Sequence, residues 1–239
     1  MSCISTYDTA FAVLRCIFNF YLTTQITRDA HHGERSGQDH GSGDASIRAG
    51  NDINLTAAGT SYGESFNFGK KNRSEMRTTE DIGTQIAAGG NLTLMAVRDV
   101  NAIAAQVASD KQLAVGAGRD INVLAGDASG YTYNEIYYKT KGFLSSKTTH
   151  LIRETEWTKG VSSTFGGDTV AMLAGRDMTV VGSNIVGDRD VEIAVGRDLQ
   201  VLAKDETYKD YQYEKIKKSG FGGGGGSASA TTSRNAPTG

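Results

Sequence analysis

Short runs in which apolar and polar residues alternate recur along the chain, and each run comes after the same kind of corner. The most complete copy is Ala117 to Ala125, where Gly118-Arg119-Asp120 precedes Ile121-Asn122-Val123-Leu124. Near-copies are Gly50-Asn51-Asp52-Ile53-Asn54-Leu55, Val97-Arg98-Asp99-Val100-Asn101-Ala102, Gly175-Arg176-Asp177-Met178-Thr179-Val180 and Gly196-Arg197-Asp198-Leu199-Gln200-Val201. Alternation with period two predicts a half-buried β-strand. Glycine takes positive φ at little steric cost, and an Asp or Asn side chain hydrogen-bonds backbone two residues on. The tripeptide therefore predicts a turn, with Asp52, Asp99, Asp120, Asp177 and Asp198 as structural corners.

The copies keep a fixed spacing. Asp99 to Asp120 is 21 residues and Asp177 to Asp198 is also 21. That step places Val100 on Ile121, Asn101 on Asn122, Met178 on Leu199 and Val180 on Val201. A longer step of 78 residues carries Asp120 onto Asp198, Tyr133 onto Tyr211 and Gly142-Phe143 onto Gly220-Phe221 without a gap. Fixed periods of this kind predict a solenoid, in which no repeat buries its apolar face alone. About 20 residues suits one coil of a parallel β-helix, with coils about 4.8 Å apart. The expected fold is thus all-β, a right-handed parallel β-helix with protruding β-hairpin excursions.

Three polar excursions interrupt the coils. The first runs from Gly59 to about Gln85, the second from Gly126 to about Phe165, and the third opens at Lys204. Asp52 to Asp99 is 47 residues whereas Asp120 to Asp177 is 57, so the excursions vary in length while the coils do not. Variable loops on one face of a solenoid are where binding concentrates. Alternation in Tyr131-Thr132-Tyr133 and Tyr211-Gln212-Tyr213 puts tyrosines on one face of an extended strand. Tyr131, Tyr133, Tyr137, Tyr138, Trp157, Tyr208, Tyr211 and Tyr213 form the candidate interaction surface, with lysines nearby. These rings pack as part of a hairpin sheet, meet a membrane, a glycan or a protein, or do both.

Residues 1–46 differ from the rest of the chain and read as a non-repeat leader and flexible linker. Ala10 to Leu22 is apolar but interrupted by Arg15 and Asn19, too short and polar to span a bilayer and poor as a secretory signal. Phe11, Leu14, Phe18 and Tyr21 share one face of a helix if one forms. The repeat region is expected over 47–221, and 222–239, rich in Gly, Ser, Ala and Thr, is expected to be a disordered tail.

Composition narrows the chemistry. The chain of 239 residues has 30 Gly, one Pro and a formal charge of −2, which excludes a basic nucleic-acid binder. Both cysteines, Cys3 and Cys16, precede the repeats, which excludes a disulfide framework or thiolate zinc site within them. Aspartates 52, 99, 120, 177, 190 and 198 recur as Gly-x-Asp does in calcium β-rolls. Those rolls need a nine-residue period, and here an Arg precedes most of the aspartates. No metal and no cofactor is expected. The histidines 31, 32 and 40 lie in the linker without a completing ligand set. His150, the only histidine in the repeats, is expected to be an exposed residue without a catalytic partner, and no enzyme activity is expected.

Several motifs together resemble a known family. The Gly-Arg-Asp-[Ile/Met/Leu]-x-Val corners, Val181-Gly182-Ser183-Asn184-Ile185-Val186, and Lys217-Lys218-Ser219-Gly220-Phe221 followed by polyglycine are similar to the haemagglutinin repeats of filamentous-haemagglutinin-type exoproteins. Within that family they most resemble the distal repeats of contact-dependent growth inhibition effectors, over about residues 47–226. The resemblance implies a stretch of a long β-helical filament secreted through an outer-membrane transporter partner and displayed on a Gram-negative cell. It implies contact with a target-cell envelope or surface receptor, for toxin delivery or, alternatively, for adhesion to a host surface or glycan. The chain shows neither the secretion domain that precedes such repeats nor a toxin junction after them, and is expected to be a fragment or gene remnant. With coil ends left as open strand edges, it is expected to self-associate.

Overall fold

The computed structural model describes residues 24–26, 43–221 and 223–235, so the apolar run Ala10–Leu22 and the linker histidines 31, 32 and 40 lie outside the described residues. Among the described residues every element is a strand. In chain order they are β1 (Thr24–Ile26), β2 (Ala45–Ala49), β3 (Ile53–Leu55), β4 (Ala58–Asn67), β5 (Arg73–Ile82), β6 (Gln85–Ala88) and β7 (Leu92–Ala96). Next come β8 (Val100–Ile103), β9 (Gln106–Ser109), β10 (Gln112–Ala117), β11 (Ile121–Leu124), β12 (Gly126–Gly142) and β13 (Ser145–Val161). The last are β14 (Thr164–Ala174), β15 (Asp177–Val181), β16 (Asn184–Val195), β17 (Asp198–Leu202), β18 (Thr207–Gly220) and β19 (Gly223–Asn235).

The chain divides into two units. One comprises residues up to Ala58, Ile82–Gly126 and Ser162–Ala203; the other comprises Gly59–Asp81, Asp127–Val161 and Lys204 onward. The single repeat region expected over 47–221 is thus two units threaded through one another in sequence: coils and excursions.

The coil unit is a stack of parallel strands on three faces. On the first, β2, β7, β10, the second half of β14 and the second half of β16 pair in that order. On the second, the order is β3, β8, β11, β15 and β17. On the third, β6 pairs β9, β9 pairs the start of β14, and that pairs the start of β16. Consecutive coils are therefore consecutive neighbours. The registers are those of the 21-residue step: Val100 faces Ile121, Met178 faces Leu199 and Val180 faces Val201. Inward side chains pile into one column in which Leu94, Val100, Leu113, Ile121 and Met178 are fully buried. On the last coil the same inward positions are open: Val180 is 3% exposed and Val201, one rung on, is 70%.

The corners hold for a reason the sequence did not suggest. Positive φ is absent from the corner glycines; a Cβ on Gly118, Gly175 or Gly196 would instead strike the backbone carbonyl of Val97, Gly118 or Gly175 in the preceding coil. Close stacking of backbones selects glycine there. Left-handed residues sit at another corner, between the second and third faces, at Ala104 (φ 51°) and Gly182 (φ 54°). At that same corner the other coils send out their excursions.

The excursion unit is one antiparallel sheet of three hairpins, in the order β4-β5-β12-β13-β18-β19. Between hairpins, Glu135 faces Arg73 across β12 and β5, and Trp157 faces Tyr208 across β13 and β18. Within the tail expected to be disordered over 222–239, the described residues 223–235 correct that expectation. Gly223–Asn235 is the edge strand β19, paired with β18 from Tyr208–Asn235 to Gly220–Gly223. An edge strand buries neither face deeply, so its side chains need no alternating pattern; the β18 backbone sets its register.

Candidate interaction surface

Paired residues in an antiparallel sheet point to the same side, so register sorts the aromatic residues into two faces. One face carries Tyr131, Tyr133, Tyr137, Tyr211 and Tyr213 along with Arg73, Glu135 and His150. Trp157 and Tyr208, paired directly, lie on the other with Tyr138. The expected single surface is thus two.

The first face is organised around Glu135, which is buried. Its carboxylate accepts from Arg73 Nε at 3.0 Å and from Tyr133 Oη at 3.3 Å, and lies 2.7 Å from His150 Nε2. The His150 ring stands edge-on between Tyr137 and Tyr213, with centroids 5.9 and 5.7 Å away. Burial pushes the Glu135 carboxyl upward, but the hydrogen bonds from His150, Arg73 and Tyr133 outweigh it and hold the group below the usual glutamate value. His150 is therefore half-buried in a network, not an exposed loop residue as expected. Neither Glu135 nor the cluster carried a sequence signal, because its members lie on β5, β12, β13 and β18 with no common spacing.

On the second face a groove of about 660 Å³ is lined by Tyr62, Thr78, Glu80, Ala128, Trp157 and Lys159. Lys159 Nζ lies 5.5 Å from the centre of the Trp157 ring. The indole lies against Gly130, where a Cβ would overlap the ring. Gly130→Ala is expected to displace Trp157 and cost about 1–3 kcal/mol. Trp157 is the sole tryptophan, so a shift in its emission maximum checks this directly; an unchanged spectrum with unchanged stability would contradict the packing.

The aspartate corners form a ladder in the coil unit. Each carboxylate is gripped by the arginine of the next coil: Arg98 on Asp52, Arg119 on Asp99, Arg176 on Asp120 and Arg197 on Asp177. In each pair Nε and Nη2 address separate oxygens, the Nε bonds being 3.1, 3.0, 2.8 and 2.8 Å. Asp52, Asp99 and Asp120 also accept the next coil's amide, from Asp99 N, Asp120 N and Asp177 N in turn. The side chains thus bridge coils instead of bonding backbone two residues on within their own turn. Beside them Asn54, Asn101 and Asn122 hand an amide bond from coil to coil at 2.9 and 2.8 Å. Asp198 differs: 64% of its side chain is exposed, and among the described residues its only ion pair is with Arg197 beside it.

The arginine hydrogen bonds hold Asp52, Asp99 and Asp120 below the usual aspartate value. Groups depressed on folding stabilise the fold above the unfolded-state value of about 3.9 and lose that contribution as pH falls through their lower folded values. The thermal midpoint is expected to fall as pH drops below about 4, and the double variant Asp99→Asn/Asp120→Asn to show a shallower fall. Parallel curves for the two proteins would show that the rungs do not contribute.

Comparisons with known proteins bear on the family of the repeats. A family model described as hemagglutinin repeat matches residues 64–220. A 16S rRNA endonuclease CdiA of Enterobacter cloacae is 38% identical over 154 residues, 64% of this chain and 5% of that protein. A tRNA nuclease CdiA of Escherichia coli is 38% identical over 142 residues, 59% of this chain and 4% of that protein. A deoxyribonuclease CdiA of Dickeya dadantii is 34% identical over 198 residues, 74% of this chain and 6% of that protein. The chain thus spans about one-twentieth of these relatives. No solved structure matches it significantly. With a repeat model covering most of the chain, and a shared sequence that runs through the coils and hairpins described above, the chain belongs to the hemagglutinin-repeat family of filamentous haemagglutinin and contact-dependent growth inhibition exoproteins.

Proposed function

We propose that these residues are a passive filament stalk within a longer secreted exoprotein of a Gram-negative cell surface, coiled as a right-handed parallel β-helix. The longer protein crosses the outer membrane through its transporter partner and carries a toxin towards a neighbouring cell's envelope. The segment itself performs no catalysis. The observation that carries this reading is the rung-by-rung identity of neighbouring coils, in register on all three faces and tied by the arginine–aspartate ladder. Such a unit extends by repetition and asks nothing of a ligand.

In the full-length exoprotein, removal of Asp120–Arg197, one 78-residue step, is expected to leave display and inhibition of target cells intact. Loss of inhibition with normal display would overturn the stalk reading. The second reading, an adhesin segment recognising a receptor or glycan, is favoured by the exposed Tyr208, paired with Trp157 of the groove, and by the exposed Tyr138 farther along the same face. It expects Tyr138→Ser/Tyr208→Ser to abolish target-cell binding, which the stalk reading expects to be unchanged.

The open inward positions of the last coil, Leu199 and Val201, with the exposed Leu202 beside them, are also expected to drive the isolated chain to self-associate. A sedimentation coefficient that stays constant with concentration would count against this.

A further inference from the structure

We propose that the outer end of the hairpin sheet docks on an anionic lipid bilayer, Phe143, Leu144 and Phe221 entering the headgroup layer while lysines behind them bind lipid phosphates. The inference goes beyond the stalk reading, which stands whether or not these tips touch lipid.

The turn between β12 and β13 and the start of the turn between β18 and β19 lie side by side. Ser145 pairs with Gly220, and Phe221 N donates to Leu144 O at 3.1 Å. At this apex Phe143 and Phe221 are each 95% exposed and Leu144 is 62% exposed. Leu144 also has φ 62°, a left-handed conformation in which Gly or Asn is the more stable choice. A large apolar side chain is thus kept at an exposed position where neither burial nor backbone geometry favours it, and strain of this kind marks functional sites.

The charge behind the apex has one sign. Lys139, Lys141, Lys147, Lys217 and Lys218 stand there, and no Asp or Glu occurs from Ile136 to Thr149 or from Lys215 to Ser233. These lysines lie roughly 8–15 Å behind the apex at about 3.3 Å per residue, within the reach of a headgroup layer. Among the described residues the only ion-paired lysines are Lys204 and Lys209, with Asp127 and Glu156. Acidic residues gather towards the opposite end of these hairpins, at Asp127, Glu154, Glu156, Asp205 and Glu206. The chain's charge of −2 therefore hides a strongly segregated sheet.

A soluble polyanion would engage the lysines but leave the apolar apex in water. A neutral membrane would accept the apex but not the lysines. An anionic bilayer satisfies both.

The test uses the whole 239-residue chain with vesicles of phosphatidylcholine alone or with phosphatidylglycerol. Binding is expected to be about tenfold or more tighter to the anionic vesicles and to weaken with salt. Lys141→Gln/Lys147→Gln/Lys218→Gln is expected to lose most of that preference, and the matching arginine variant to keep it. Phe143→Trp, compared with the parent protein, is expected to shift its added emission to the blue with anionic vesicles and not with inorganic polyphosphate. Equal binding to both vesicles, a glutamine triple variant that binds as the parent does, or a Phe143→Trp signal unmoved by vesicles would each overturn the proposal. So would polyphosphate competing away the vesicles while Phe143→Ser/Leu144→Ser/Phe221→Ser binds normally. All these positions except Lys147 sit on exposed turns or strand ends, and an unchanged far-ultraviolet circular dichroism spectrum confirms that each variant is folded.

Discussion

Ile121→Ala is expected to lower the unfolding free energy by about 2–5 kcal/mol, whereas Leu199→Ala is expected to lower it by less than about 1 kcal/mol. Both residues occupy the same inward rung of the second face. Ile121 has Val100 on one side and Met178 on the other and is fully buried. Leu199 stacks on Met178 alone and is 49% exposed. Truncating Ile121 removes contacts with both neighbouring coils and leaves a hole that stiff backbone ladders cannot close, so the cavity term adds to the transfer term. Truncating Leu199 removes surface that water already reaches. Denaturant unfolding of the two variants measures the difference. Equal losses would mean that a coil is stabilised from within, and the nearest-neighbour account of the stack would fail.

The coils were legible because the same physical demand recurs every 21 residues, and each demand writes itself into the same position. Val100, Ile121, Met178 and Leu199 occupy one rung as the spacing required. What the corners do was less legible, since a Gly-Arg-Asp tripeptide looks the same whether it bonds its own turn or the coil beside it. Only the three-dimensional stack shows that Gly118 makes room for a carbonyl and that Asp99 reaches Arg119.

The hairpins were legible as strands through the alternation at Tyr131 and Tyr211, but their pairing was not. Excursions leave the corner between the second and third faces in the first, third and fifth coils, while Ala104 and Gly182 close it in the second and fourth. Two coils add two strands to each parallel face, and one hairpin adds two strands to the antiparallel sheet, so both grow at the same rate per 78 residues. The long period therefore encodes pairing between hairpins. Its content is backbone pairing, which tolerates almost any side chain, and this is why Gly223–Asn235 joins the sheet without a strand signature.

Within that sheet the Glu135 cluster is the feature that ties all three hairpins together, and Glu135→Leu is expected to cost about 2–4 kcal/mol. Arg73 comes from the first hairpin, Glu135 and His150 from the second, and Tyr213 against His150 from the third. Leucine fills the space but accepts nothing, leaving the Tyr133 hydroxyl and the His150 imidazole short of a partner in a half-buried setting. Glu135→Gln keeps the shape and one acceptor and is expected to cost about half as much. Because the Glu135 carboxyl is depressed on folding, its contribution is present above the unfolded-state value of about 4.3 and is lost as pH falls through the folded one. Amide exchange separates this effect from a general loss of stability. In Glu135→Leu the amides of β5, β12, β13 and β18 are expected to exchange faster at pH 7, while those of β8, β11 and β15 keep their protection. Were the coil amides to speed up equally, the hairpin sheet would not be an independent cooperative unit, and Glu135 would be one more contact of a single fold.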